Sequence, residues 1–268
     1  MLSGVFREVP QNALIGFTGF VGSNLKTQFH FDSLFNSANI SSIAGRSFDL
    51  VVFAGAQAQK WWANQNPDAD WVGIQKALDP LSSISAAKAV LISTIDVLSP
   101  ANRNADEHAA YDTATEVGYG YNRIRLEDAF RALFANASIV RLPALFGPGL
   151  KKNVIFDLVH NNTLEKINTA STFQYYDLGR LWTDIGIALR DTLPLVHLFT
   201  EPIATQEIID RFFPETRVGH DPAPEAHYDF RTRYGRLFGG DDRYIEGRTS
   251  VLAHLGAFIS TEMNKVRH

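Results

Sequence analysis

The sequence predicts an α/β protein: a doubly wound parallel sheet with a small C-terminal lobe. Three observations predict it. Short apolar runs of the buried-strand type recur along the first two-thirds of the chain: Ala13-Leu14-Ile15, Leu50-Val51-Val52-Phe53, Ala89-Val90-Leu91-Ile92 and Ser138-Ile139-Val140-Arg141-Leu142. Stretches with helical spacing separate them. A glycine turn, Gly16-Phe17-Thr18-Gly19-Phe20-Val21-Gly22, joins the first run to the first helical stretch. Apolar runs without alternation suit strands covered on both faces, which is the parallel-sheet arrangement.

The elements follow in order. Val21 to Gln28 reads as a helix and His30 to Phe35 as a second strand. Leu50–Phe53 is a strand ending at the small-residue turn Ala54-Gly55-Ala56. Trp71 to Ser85 reads as one helix. Ala89–Ile92 is a strand ending at Ser93-Thr94. Gly120 to Phe134 is the strongest helix, with Ile124, Leu126, Ala129, Phe130 and Leu133 on one side. Ser138–Leu142 is a strand stopped by Pro143. Phe146-Gly147-Pro148-Gly149 is a loop. Helices are expected at Asn153–Val159, Leu181–Leu193, Thr205–Phe213 and Thr249–Ile259, and extended chain at Thr172–Leu178 and Leu195–Phe199. An irregular aromatic and charged segment spans His227 to Tyr244, too rich in both for a plain linker. The expected division puts residues 1–146 and about 172–200 in the larger domain, and about 147–171 with 201–268 in the smaller substrate lobe.

Composition excludes several classes. The chain has 268 residues, of which 45% are hydrophobic, enough for a sizeable core. The net charge is −4 with no basic stripe, so nucleic acid is not an expected partner. No apolar run approaches the length of about 18 residues that a membrane helix needs. Met1 to Pro10 carries Arg7 and Glu8 and no apolar signal core, and cysteine is absent. Both suit a cytoplasmic protein. Without cysteine there is no disulfide, no thiolate nucleophile and no Cys-ligated metal. The eight histidines show no metal-binding spacing, so no metal site is expected. No Ser/His/Asp arrangement stands out.

The glycine turn carries the first functional signal. A dinucleotide pyrophosphate sits against backbone N–H groups at a helix N-terminus, where side chains would block it. Gly16 suits the tight turn, Gly19 the close approach, and Gly22 the packing of helix on strand. Strand, turn and helix in that order give the pattern its meaning.

With four later segments, this turn resembles the extended short-chain dehydrogenases/reductases, the nucleotide-sugar epimerase and dehydratase superfamily, which has a Rossmann-like fold. Asp49–Ala56 resembles that family's fourth strand and turn. Leu91-Ile92-Ser93-Thr94-Ile95-Asp96-Val97 resembles its Ser/Thr strand. Tyr119-Gly120-Tyr121-Asn122-Arg123, with Glu127 one turn on, resembles its Tyr-x-x-x-Lys helix. Val140 to Gly149 resembles the strand and loop that enter the substrate lobe. The resemblance implies Tyr119 as proton donor or acceptor, Thr94 as its hydroxyl partner, and Arg123 as the cation in place of lysine. It implies a dinucleotide lined by Gly16, Thr18, Gly19, Phe20, Val21, Gly22, Ala54, Gly55, Ala56, Arg123 and Pro143. Pairing Tyr121 with Arg125 is the alternative register, but Gly120 and Glu127 sit at the family's offsets from Tyr119.

Arginine at position 123 is the departure from the pattern. A free tyrosine titrates near 10, and bringing it near 7 needs roughly 4 kcal/mol. A cation at about 4–5 Å supplies roughly 3–4 kcal/mol at an effective dielectric near 20. The charge is therefore expected to suffice, while the bulk and planar fork of arginine change the geometry.

The cofactor is NAD or NADP. No acid ends the second strand, where Phe35-Asn36-Ser37-Ala38-Asn39 stands. The short interval from Gly22 to Asp49 leaves room for one strand–helix unit fewer than usual. Arg46 suits either a 2′-phosphate contact or the surface. Asp96, Lys151, Lys152 and Asn153 are candidate contacts for a substrate, a nucleotide-sugar by resemblance. The resemblance also implies a homodimer. Three functions fit: an NAD(P)-dependent oxidoreductase on a sugar-like carbonyl or alcohol, a nucleotide-sugar epimerase, and a non-catalytic dinucleotide-binding sensor or scaffold.

Overall fold

The computed structural model describes residues 11–98, 104–109 and 118–266. The segment Met1–Pro10, read above for a signal core, lies outside them. The element order is β1 (Asn12–Ile15), α1 (Phe20–Gln28), β2 (Ser33–Phe35), β3 (Ser47–Phe53), α2 (Lys60–Gln65), α3 (Pro67–Leu78), β4 (Ser85–Thr94), α4 (Tyr119–Leu133), β5 (Ala137–Leu142), β6 (Ala144–Phe146), α5 (Val154–His160), β7 (Thr172–Phe173), β8 (Tyr175–Asp177), α6 (Leu181–Arg190), β9 (Leu195–His197), β10 (Ile203–Ala204), α7 (Thr205–Phe212) and α8 (Arg248–Val266).

Six parallel strands form the main sheet in the order β2-β1-β3-β4-β5-β9. Successive residues on each strand point to opposite faces. Leu14, Val52, Val90, Val140 and Val196 enter one core with Leu25 of α1 and Leu181 and Ile185 of α6. Ala13, Ile15, Val51, Phe53, Leu91 and Ile139 enter the other with Ile74 and Leu78 of α3 and Leu126 and Phe130 of α4. This is the doubly wound sheet that the uniform apolar runs predict. A third core, around Phe146, Ile155, Tyr175, Ile208, Leu252 and Leu255, joins β6 and β8 to α5, α7 and α8. Phe238 and Ile245, from the irregular segment, pack into the main core instead.

Two differences from the sequence reading have local causes. The helix expected over Trp71–Ser85 starts at Pro67 and ends at Leu78, then tightens to a 3-10 turn over Asp79–Ser83. Pro80 has no N–H to continue the ladder, and Pro67 has the fixed φ that suits a first helical position. Lys60–Gln65 forms a helix the apolar pattern does not announce. Between β2 and β3 there is only a 3-10 turn, Ile40–Ile43, so β2 is the sheet edge and one strand–helix unit is absent.

A buried polar network locks α4 to the sheet. Glu127 receives the Ser93 hydroxyl at 2.6 Å and the Arg141 guanidinium at 2.9 and 2.6 Å. Arg141 continues to His197 Nε2 at 2.9 Å, and His197 Nδ1 lies 2.9 Å from the Arg231 carbonyl oxygen. Burial pushes the Glu127 carboxyl up, while the Ser93 hydroxyl and Arg131 hold it back. Burial and the Arg141 charge push His197 down to about 3, so its imidazole is neutral. Glu127→Gln removes the carboxylate that receives the Arg141 fork and is expected to destabilise the fold by about 3–5 kcal/mol in denaturant unfolding. A loss under 1 kcal/mol would show that the network does not hold α4 in place.

Candidate active site

The glycine turn is built by backbone contact. Gly16 has φ +87°, and its N–H donates to the Phe35 carbonyl at 2.7 Å. A Cβ on Gly16 would lie 2.4 Å from the Ala54 carbonyl oxygen, and one on Gly22 would lie 2.1 Å from that of Gly16. Neither position admits a side chain. Gly19 is less crowded, with 3.4 Å to the Gly16 oxygen. It is the N-cap of α1 and provides no side-chain cap, so the first helical N–H groups keep no side-chain partner. Thr18 and Gly19 are exposed, and Phe20 and Val21 are half-buried beside them. Ala54, Gly55 and Ala56 adjoin this turn at the end of β3, across the switch point between β1 and β3.

Thr94 ends β4. Its Oγ1 accepts the Asp96 N–H at 3.2 Å, capping a 3-10 turn over Ile95–Val97. Tyr119 opens α4 after Gly118, whose φ is +88°. Its N–H donates to Asn64 Oδ1 of α2 at 2.9 Å. Burial raises the Tyr119 phenol above its ordinary value, and nearby Asp96 adds to this; Arg123 and Thr94 act the other way. Thr94 and Tyr119 therefore meet, as the sequence expects. The alternative register faces elsewhere, because Arg125 stacks on Trp71 of α3 at 3.6 Å.

Arg123 corrects the expectation about charge. Its guanidinium lies 4.3 Å from the Tyr119 ring centroid, close enough for the cation to act. Yet its fork engages Asp70 of α3 at 3.0 and 3.0 Å and donates to the Gln57 carbonyl at 2.5 Å. Desolvation of the phenol outweighs the lowering by Arg123. The Nε of Arg123 is buried and makes no hydrogen bond. Asp70 gave no signal in the sequence because it sits in a first helical turn, where acids are common.

A cavity of about 180 Å³ opens beside Thr94. Asp96 and Pro143 line it, with Lys60, Phe173, Gln174 and Tyr228, four residues the sequence reading assigned no role. Lys60 lies on the unannounced helix α2. Tyr228 belongs to the segment marked by its aromatic and charged content, the one signal that could have found it. Lys152 reaches over from the loop after β6 to the Ala58 carbonyl oxygen. Asn24 fastens the same loop to α1 through the Pro148 carbonyl at 2.9 Å. Lys151 is exposed. Asn153 is a correction: its Oδ1 caps α5 at Ile155 and Phe156, and its Nδ2 donates to the Leu145 carbonyl, so it is a structural cap. Arg46 donates to Ser33 at the amino end of β2, away from the glycine turn. Among the described residues there is no metal-binding cluster and no helix long and apolar enough to cross a membrane.

Comparison with solved structures gives the fold a name. The chain superimposes on dTDP-4-dehydrorhamnose reductase from Yersinia enterocolitica with a TM-score of 0.72 at 12% identity, covering 95% of this chain and 100% of that one. RMD from Pseudomonas aeruginosa, complexed with NADPH, gives 0.70 at 15% identity, covering 95% and 99%. The chain shares their α/β Rossmann-like fold, a six-stranded parallel sheet flanked by helices. UDP-glucuronic acid 4-epimerase from Bacillus cereus also shares it, with a TM-score of 0.71 at 12% identity over 96% and 99%. No protein-family model and no curated protein matches the chain. Within this fold, β2 at the sheet edge and the Arg123–Asp70 pair distinguish the chain from the pattern its motifs resemble.

Arg123→Met leaves Asp70 as an unpaired buried charge and is expected to destabilise the protein by about 3–5 kcal/mol. Arg123→Met combined with Asp70→Leu should recover most of that loss. Denaturant unfolding of the three proteins measures it; additive losses in the double variant would contradict the pairing.

Proposed function

We propose that this chain is an NAD(P)-dependent oxidoreductase that reduces a carbonyl on a sugar-like substrate. The observation that carries the reading is the meeting of Tyr119 and Thr94 at the carboxyl edge of the sheet, beside the glycine turn. In open α/β sheets that edge, at the switch point, is where ligands bind.

The residues present fit a dinucleotide. The crowding at Gly16 and Gly22 keeps side chains out of the turn, and the uncapped start of α1 offers N–H groups to a pyrophosphate. Ala54, Gly55, Ala56 and Pro143 would flank it. The Nε of Arg123 is a buried donor without a hydrogen-bond partner. The adenosine end is barer. Asn36 and Asn39 use their side chains to knit their own loop, through Ala38 N–H at 2.9 Å and Asn36 N–H at 2.7 Å. They leave neither an acid for a ribose 2′-OH nor a cation for a 2′-phosphate, so nothing here chooses between NAD and NADP.

When bound, the nicotinamide supplies or removes the hydride. Tyr119 gives its phenolic proton to the carbonyl oxygen, and the Thr94 hydroxyl donates a hydrogen bond to that oxygen. Because burial raises the phenol, Tyr119 is protonated at neutral pH. That suits an acid in carbonyl reduction and opposes the tyrosinate that alcohol oxidation needs. The structural neighbours named as a dTDP-sugar reductase and a UDP-sugar epimerase support a nucleotide-sugar as the substrate class. The engagement of Arg123 by Asp70 favours a second reading, a dinucleotide-binding protein without catalysis.

Turnover of NADH or NADPH with nucleotide-sugar ketones tests the proposal. Tyr119→Phe should lower kcat about 100-fold or more while leaving cofactor affinity within about twofold. Equal turnover by Tyr119→Phe would remove Tyr119 from the chemistry. Because burial raises the phenol, the loss of wild-type reduction rate caused by Tyr119 ionisation should set in at higher pH than a free tyrosine would give, which a pH–rate profile of the wild type against Tyr119→Phe measures.

A further inference from the structure

One wall of the cavity carries a cluster that this chemistry leaves unused. Lys60 Nζ lies 2.7 Å from Asp96 Oδ1 and 3.2 Å from the Tyr228 hydroxyl. That hydroxyl donates to the same Asp96 oxygen at 2.9 Å. The three residues come from α2, the turn after β4, and the segment that follows α7.

The cluster is held from behind. The Gln174 side chain binds both backbone groups of Phe230, accepting its N–H at 2.9 Å and donating to its carbonyl at 2.8 Å. The Tyr228 N–H donates to the Thr172 carbonyl at 3.1 Å, and its ring stacks on Phe173 at 5.7 Å. These contacts set the position of the Tyr228 hydroxyl before any ligand arrives.

Charge narrows the ligand. Burial alone would lower Lys60, but Asp96 and Tyr228 more than offset it and keep the ammonium protonated. Burial and Asp96 push the Tyr228 phenol up to about 12, so it is neutral. The ammonium, carboxylate and phenol sum to zero among themselves, and the nearby Lys152, which also interacts with Asp96, is turned to the Ala58 carbonyl. Lys60 has three N–H donors, two of them engaged. Asp96 Oδ1 takes both bonds, leaving Oδ2 to accept. A donor beside an acceptor matches a hydroxyl, which is both. Thr94 and Asp96 share one short turn, so the oxygens they hold belong to neighbouring parts of one small molecule.

We propose that Lys60, Asp96 and Tyr228 form a hydroxyl-binding subsite, making the preferred substrate a polyol-type compound with a hydroxyl next to the reacting carbon. Which carbon reacts rests on the reading of Tyr119 and Thr94 given under Proposed function; the subsite itself requires no cofactor.

The test compares two small probes that differ by one hydroxyl, trans-cyclohexane-1,2-diol and cyclohexanol. Binding to the isotopically labelled full chain is followed by the amide shifts of Ile95, Asp96, Val97 and Tyr228. The diol should bind about fivefold more tightly, the worth of one net hydrogen bond. That preference should vanish in Lys60→Met, in Asp96→Asn and in the charge-neutral combination of the two, each with a folded spectrum. Tyr228→Phe, which keeps the ring stack, should reduce it. Equal affinity of the probes for the wild type, or a preference that survives in the variants, overturns the subsite. A diol preference in a protein that binds neither NADH nor NADPH keeps the subsite and removes the oxidoreductase reading. Cofactor binding without a diol preference does the reverse.

Discussion

The Glu127 carboxylate, shared between Ser93 of β4 and Arg141 of β5, is the interaction on which the site depends. Ser93 precedes Thr94 directly, and Glu127 lies two helical turns beyond Tyr119 and one beyond Arg123. Fixing Glu127 to both strands therefore fixes the rotation and height of α4 against the end of β4. The meeting of Tyr119 and Thr94 follows from it. A buried fork of this kind adds little net stability over an apolar contact, because desolvation offsets much of the attraction. Its effect is positional: a helix held only by Leu126 and Phe130 could slide, whereas a bidentate contact admits one register.

Charge has been redistributed around that fixed helix. The cation at position 123 is close to Tyr119, but Asp70 takes its fork, and the pair joins α4 to α3. The exposed cation of the cavity is Lys60, supplied by α2 and paired with Asp96. Around Tyr119 the guanidinium is ion-paired and burial raises the phenol. The loop from Gly147 to Lys152 is fastened to α1 by Asn24 and to Ala58 by Lys152.

Much of this was legible in the sequence. Unbroken apolar runs announced strands buried on both faces, and Gly16 and Gly22 announced a turn that tolerates no Cβ. That Thr94 ends a strand and Tyr119 stands at a helix start was legible from the apolar run and the helical spacing; their pairing came from the resemblance of the two motifs. What the sequence hid is tertiary. Lys60 lies on a helix of six residues, too short to show a period. Asp70 resembles any acid in a first helical turn. Tyr228 comes to the cavity from 132 residues beyond Asp96 along an irregular path. Asn153 was misread because a polar residue after a glycine loop looks the same whether it caps a helix or meets a ligand.

The central claim is that the turn at Gly16–Gly22, although its sheet lacks one edge unit, still holds a dinucleotide beside Tyr119. Titration of the purified protein with NADH and with NADPH, read by nicotinamide fluorescence or by heat, tests it most directly. The account predicts saturable micromolar binding of at least one of them, lost on Gly22→Ala. No binding of either, in reduced or oxidised form, would contradict it and leave only the fold.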